Sequence, residues 1–347
     1  MPRRNTSSAN VTLQNAKRAK KDEFYTQLAD IENELRHYHR ARFQGKVVYC
    51  NCDDPCESKF VEYFVRNFNA LGLKELIATV FTGSPVSGTQ LPLFDTETND
   101  QIGTGEAHVL RVKRVKNSDL DDVGSFAELL KKRLRKAKKL NGTGDFRSPE
   151  CVALLKEADI VVTNPPFSLF REYVAQLVEY RKKFLIIGNK NAITYKDVFV
   201  LIKNNTLWTG YRNFSGGMWF ISDYEGKYEK TVNGVKIINV PAIWLTNLDH
   251  SKRHERLQLY KNYTAEAYPQ YDNYDAIEVS KTAEIPCDYY GAMGVPITFL
   301  DKYNPEQFEI LGIDRYIEGN QTPNKRFMIS GTEIYARIII KRKDTTQ

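Results

Sequence analysis

No apolar run in this 347-residue chain approaches the twenty or so residues that a membrane span requires, and charged residues make up 27% of it against 41% apolar. A soluble protein without a membrane partner is expected. The N-terminus, MPRRNTSSANVTLQNAKRAKK, lacks the apolar core and small-residue cleavage site of a secretory signal, so a cytoplasmic location is expected. Cysteine is scarce and odd in number: of five, Cys50, Cys52 and Cys56 cluster in VVYCNCDDPC, far from Cys151 and Cys287. A disulfide framework does not fit that count. Nor is there a second CxxC or HxxxH pair to complete a structural zinc site, so no metal is expected. Internal repeats and long low-complexity tracts are also missing.

What the chain has in excess is positive charge. The formal net charge is +7 and the sequence pI about 8.9, which makes a polyanion such as nucleic acid the natural partner. Lysine and arginine concentrate in the N-terminal tail and in KKRLRKAKKL, residues 131 to 140. There Leu130, Leu134 and Ala137 fall on one helical stripe, so the surrounding cations read first as a solvated helix face. Lys131, Lys132, Arg133 and Arg135 are nonetheless candidates for DNA phosphates, because a helix can pack by one face and touch a backbone with the other.

Residues 1 to 20 form a basic, polar arm, expected to order only on a partner. In DEFYTQLADIENELRHY the spacing of Phe24, Leu28, Ile31 and Leu35 predicts a helix from about Thr26. KVVYCN reads as a strand, SKFVEYFVRNFNALG as an amphipathic helix and KELIATVF as a second strand. Turn formers crowd residues 84 to 106, and the stretch 84–125 reads as an insertion. From there SPECVALLKEA, SLFREYVAQLVEYRKK and ITYKDVFVLIKNN read as helices alternating with the apolar strands DIVVT and FLIIGN. Strands apolar throughout, alternating with helices, argue for an α/β fold: a parallel sheet with helices on both faces. Ligands of such sheets sit at the carboxyl ends of the strands, where CDDP, GDF and NPPF all fall. Beyond about residue 206, TLWTGYRNF, GMWFISDY, GVKIINV and AIWLTNLD read as antiparallel strands closing the sheet. The chain from about 248 to 347, rich in Tyr, Asn and Asp, reads as a separate region.

The stretch DIVVTNPPFSLF, residues 159 to 170, ends a strand on an Asn and two prolines. Neither proline offers an amide proton and each restricts its predecessor, so helix and central strand both stop. The turn leaves an amide and backbone carbonyls as acceptors for a planar amino group, with the Phe167 ring beside them to stack on a heterocycle. A bare Asn-Pro-Pro is most often a loop. Between DIVVT and an aromatic-led helix, however, it resembles the catalytic motif of amino-methyltransferases that use S-adenosyl-L-methionine. Motif order sharpens the resemblance. DEFYT resembles motif X, CDDP stands at motif I and GDF resembles motif III, an order X, I, III, IV found in gamma-group DNA amino-methyltransferases. With KFLIIGN, WLTNLD, YDNYDAI and MGVPITFLDKYNPEQFE added, the chain from about residue 21 resembles the EcoRI-type adenine-specific DNA methyltransferases, except in the 84–125 stretch.

The resemblance implies a Rossmann-like catalytic domain over 21–247 and a DNA target-recognition region over 248–347. It implies that Asn164 and Pro165 accept hydrogen bonds from the target amine, with Pro166 and Phe167 completing the motif. Phe24, Tyr25, Thr26, Asp53, Asp54, Asp145, Phe146 and Asn164 are the expected cofactor contacts. CDDP lacks the glycine-rich loop usual there, and no acid ends KELIATVF where relatives hold the ribose. A flipped adenine would stack on Phe167, with Trp219 or Phe220 closing the other side, although both are equally readable as core aromatics. The family is associated with the site GAATTC and implies a monomer on double-stranded DNA, working beside a restriction endonuclease without a stable complex. An RNA base methyltransferase and a catalytically inactive DNA-binding relative are the alternatives.

Overall fold

The computed structural model describes residues 25–52, 58–79, 107–120, 129, 137–212, 214, 216–221, 230–232 and 235–343. These fall into two compact units, one drawn from Met1–Lys190 and Gly217–Leu248, the other from Asn191–Gly216 and Asp249–Gln347. Among them no helix is long and apolar enough to cross a membrane.

The first unit opens with the short strand β1 (Tyr25–Thr26) and helix α1 (Leu28–Leu35). Then follow β2 (Val47–Cys50), α2 (Lys59–Arg66), α3 (Phe68–Leu71), β3 (Glu75–Thr79), β4 (His108–Val112) and β5 (Lys138–Lys139). Next come α4 (Pro149–Glu157), β6 (Ile160–Thr163), α5 (Phe170–Glu179) and β7 (Lys183–Asn189). Helix α6 (Lys196–Lys203) and strand β8 (Trp208–Thr209) belong to the second unit. The chain then returns to the first with β9 (Met218–Ile221), β10 (Lys230–Val232), β11 (Val235–Val240) and β12 (Ala242–Thr246).

Seven strands of the first unit line up as β5-β4-β3-β2-β6-β7-β12. The four central ones are parallel, joined β3 to β2, β2 to β6 and β6 to β7, and the three outer ones are antiparallel to their neighbours. The fold is therefore mixed α/β with a large mixed sheet. Strands β2, β3 and β6 are buried along their whole length, which is why their sequences are apolar without alternation. Side-chain caps start two of the helices: Ser58 accepts from Phe60 N at 3.2 Å and Val61 N at 3.3 Å, and Ser148, ahead of Pro149, accepts from Cys151 N at 3.3 Å.

Three expectations need adjusting. Helix α1 starts at Leu28, because the Tyr25 and Thr26 backbones pair with Ile221 and Phe220 as strand. The late strands do not all close one sheet: β12 extends the large sheet beside β7, whereas β1, β9, β11 and β10 make a separate antiparallel sheet. And within the 84–125 stretch, His108–Val112 is a strand of the large sheet, paired with β3.

The second unit adds β13 (Ile277–Glu278), β14 (Met293–Pro296), β15 (Phe308–Ile313), the hairpin β16 (Met328–Ile329) with β17 (Thr332–Glu333), and β18 (Arg337–Arg342). Its sheet runs β13-β14-β18-β15 over a core holding Phe299, Phe308, Ile310 and Ile339.

Candidate active site

The carboxyl ends of β2, β3 and β6 meet in a set of polar contacts. Asn51 directly follows β2, and its carbonyl accepts from Thr79 Oγ1, the last residue of β3, at 3.4 Å. Cys52 N donates to Thr163 Oγ1, the last residue of β6, at 3.2 Å. The Asn51 Oδ1 accepts from the Tyr173 hydroxyl on α5. Tyr173 in turn stands edge-on to Phe146, ring centroids 5.0 Å apart, and Gln176 Nε2, also on α5, donates to the Phe146 carbonyl at 3.1 Å. The helix that follows NPPF is thus tied both to the end of β2 and to the GDF segment.

Asn164, Pro165 and Pro166 leave β6, and Phe167 opens a short 3-10 turn running Phe167–Leu169 into α5. Pro165 is buried, while Asn164 is half-buried with its Oδ1 shielded from solvent. Phe167 is also half-buried and packs on the core of the first unit. Gly188 of β7 fixes α5 from below, since a Cβ there would stand 2.6 Å from the Phe170 ring.

Asp145 is occupied by Arg147: Nε reaches Oδ1 at 2.9 Å, Nη2 reaches Oδ2 at 2.7 Å, and the Arg147 amide donates to Oδ1 at 2.8 Å. This guanidinium holds the Asp145 carboxyl below the usual carboxylate range. Arg147 Nη1 also pairs with Glu172 on α5 at 2.8 Å. Burial pushes the Tyr49 hydroxyl and the Cys151 thiol upward, so neither is a ready base or nucleophile.

The structure brings Asn164, Pro165, Pro166, Phe167, Asp145 and Phe146 to this end of the sheet. Thr26 lies on β1, 5% exposed, next to Phe220 across the β1–β9 pair. Tyr25 shares that strand, and Phe24, Asp53 and Asp54 lie outside the described residues, as do Lys131, Lys132, Arg133 and Arg135. Of the two aromatics on β9, Phe220 is fully buried in the core, whereas Trp219 is half-buried with Lys230 Nζ 4.0 Å above its ring. Of the two, Trp219 is the less buried.

Sequence reasoning passed over Asn51 and Tyr173. The signal was an amide immediately after an all-apolar strand, one residue before the cysteine and acids that drew attention. Asn51 is 4% exposed, and its Nδ2 is buried with no hydrogen-bond partner among the described residues; the same holds for Thr26 Oγ1. A buried donor left over costs stability unless something accepts from it. The Asn51 donor at the end of β2 fits a small, acceptor-rich ligand, and the adenosine and amino-acid parts of S-adenosyl-L-methionine are rich in acceptors.

The family model of adenine-specific methyltransferase EcoRI matches residues 12–343. The chain belongs to the EcoRI family of adenine-specific methyltransferases. It is 46% identical to Type II methyltransferase M.EcoRI of Escherichia coli over 97% of this chain and 98% of that one. To Type II methyltransferase M.MpnI of Mycoplasma pneumoniae it is 36% identical, over 94% and 97%. No solved structure matches it. As a member of this family the chain is an enzyme that methylates adenine, and it needs a methyl donor.

Proposed function

We propose that the chain methylates the exocyclic N6 of an adenine in double-stranded DNA at one short sequence, with S-adenosyl-L-methionine as donor. The observation that carries this is the position of Asn164-Pro165-Pro166-Phe167 at the carboxyl end of β6, beside the unfilled donor of Asn51, in a member of an adenine-specific family. The large sheet is read as a Rossmann-like methyltransferase core. When bound, S-adenosyl-L-methionine supplies an electrophilic methyl group.

The chain's own residues then do three things. Asn164 Oδ1 and the Pro165 carbonyl accept the two amine hydrogens, aim the nitrogen lone pair and stabilise the positive charge that grows on it, so positioning and electrostatics supply the acceleration. Phe167 stacks on the adenine, which must leave the duplex to reach the site, and Trp219 covers its other face. Thr26 and Asn51, with Asp53, Asp54, Asp145 and Phe146 and the aromatic pair Phe24 and Tyr25, hold the donor; Pro166 keeps the turn stiff.

The second unit serves as the target-recognition region, and the enzyme acts as a cytoplasmic monomer, protecting DNA from an endonuclease of the same specificity without binding it stably. GAATTC is the first site to test. Transfer of labelled methyl from S-adenosyl-L-methionine to unmethylated genomic DNA and to total RNA, with single-molecule sequencing of the DNA, should yield N6-methyladenine at one motif. Label in RNA alone would replace the substrate; cofactor binding without transfer to either would mean a DNA-binding relative that has lost catalysis.

A further inference from the structure

Between β15 and β16, residues 314 to 327 of the second unit form a loop held in shape by a network of buried polar groups. Asp314 closes one end: its carboxylate accepts from Arg315 N at 2.7 Å and Arg337 N at 3.2 Å, and its carbonyl accepts from Asn320 Nδ2 at 2.8 Å. Asn320 also donates to the Lys325 carbonyl at 3.1 Å and accepts from Thr322 N at 2.9 Å. Asn273, 2% exposed, reaches in from outside the loop. Its Nδ2 donates to the Arg326 carbonyl at 3.1 Å and to Asn320 Oδ1 at 3.2 Å, its Oδ1 accepts from Met328 N at 3.0 Å, and its carbonyl accepts from Gln321 N at 3.0 Å. Phe327 closes the other end, buried and stacked against Tyr271 and Tyr274 at 4.6 and 5.0 Å. Gly319, at φ +85°, makes the turn that an L side chain would resist.

The outer groups are of another kind. Gln321, Asn324 and Lys325 are exposed, whereas Arg326 is half-buried with its Nε shielded from solvent. The crest therefore presents two amides and the Lys325 cation. Amides that donate and accept at once match the N6 and N7 edge of adenine in the major groove, and an ammonium group matches guanine or phosphate. A loop that is rigid before binding has little ordering entropy to lose when it docks.

We infer that the loop Asn320–Arg326 is a preformed reader of base edges in the major groove of the DNA substrate, with Gln321 and Asn324 as specificity-determining residues, Lys325 on a phosphate and Asn273 as a positioning residue. The inference rests on the DNA reading above. It names the part of the second unit that chooses the sequence.

The test uses the full chain with Gln321→Ala and Asn324→Ala combined, Lys325→Ala alone and Asn273→Ala alone. Each is assayed for methylation of a DNA pool containing every single-base variant of the site the wild-type enzyme modifies. The double variant should lose roughly tenfold or more of its discrimination at one or two base pairs. Asn273→Ala should relax the same base pairs, a pattern that general destabilisation would not produce. Lys325→Ala should weaken all sequences alike and lower the salt slope of binding by about one. S-adenosyl-L-methionine affinity, measured by calorimetry, should stay at the wild-type value in all three. Unchanged discrimination in the double variant, or a loss shared equally by every sequence, overturns the base-reading role. A wild-type enzyme that binds S-adenosyl-L-methionine yet leaves every DNA unmethylated overturns the functional reading itself, and this inference with it.

Discussion

In the first unit β2, β3 and β6 bury every residue, and the buried polar groups of Asn51, Thr79 and Thr163 collect where those strands stop. In the second unit buried polar groups run through the interior. Arg337 on β18 grips Glu278 with Nε at 2.9 Å and Nη2 at 2.5 Å, Tyr271 donates to the same carboxylate at 2.5 Å, and Asp314 and Asn273 hold a loop in shape. The contrast separates two uses of polarity. An apolar sheet leaves its amides and hydroxyls at one rim, where a ligand can complete them; a polar interior spends most of its buried groups on one another.

The sharpest way to break this comparison is Arg337→Ala. It leaves Glu278 buried without its cation, and the expected loss is about 3–5 kcal/mol in urea unfolding. Replacing Arg337 and Glu278 together by Met should recover most of it; no recovery would mean that the pair matters for more than its own desolvation. In the first unit, Asn164→Ala should lower kcat by roughly 100- to 1,000-fold while S-adenosyl-L-methionine still binds, since the proposed acceptor for the target amine is lost and the fold is not. A smaller effect follows from Gly188→Ala, whose new methyl meets the Phe170 ring and should cost about 1–3 kcal/mol, read as a drop in melting temperature.

The mildest effect concerns pH. His250 in the second unit is pushed below its usual range by burial, and its neutral ring donates from Nε2 to the Thr209 carbonyl at 3.0 Å. The unfolded chain takes up a proton near pH 6.5 while the folded ring resists it. The stability due to the neutral ring is thus complete above about pH 6.5 and is lost as pH falls toward the folded value. Unfolding midpoints at pH 7.5 and 5.5 should differ in the wild-type protein and differ less in His250→Gln.

The same contrast decides what could be read from the sequence. KVVYC, DIVVT and FLIIGN announced their strands because burial on both faces leaves an unbroken apolar run, and NPPF stood out because two prolines must end such a run. HVLRV did not stand out. In β4 the apolar run is broken by His108 and Arg111, and Arg111 is used at the sheet's edge, pairing with Glu75 at 3.0 Å and Glu157 at 2.6 Å. Strand β1 escaped notice because its partner β9 lies far along the chain, and two residues carry no period. Asn51 was hidden for a different reason: a buried amide becomes noteworthy only when the acceptors around it can be counted. In the second unit, Asn273 and Asn320 read as loop residues in the sequence, and nothing in their neighbours says that one of them reaches across some fifty positions to pin the other.

One feature of the connectivity bears on how such a gene can change. The chain enters the second unit after Lys190, goes back to the first at Gly217 and enters the second again after Leu248. A single crossover therefore cannot carry the second unit alone from one gene to another: one placed after Leu248 leaves Asn191–Gly216 behind, and one placed before Asn191 brings Gly217–Leu248 of the first unit along. Chimeras between members of a lineage with this thread should therefore retain both segments from one parent.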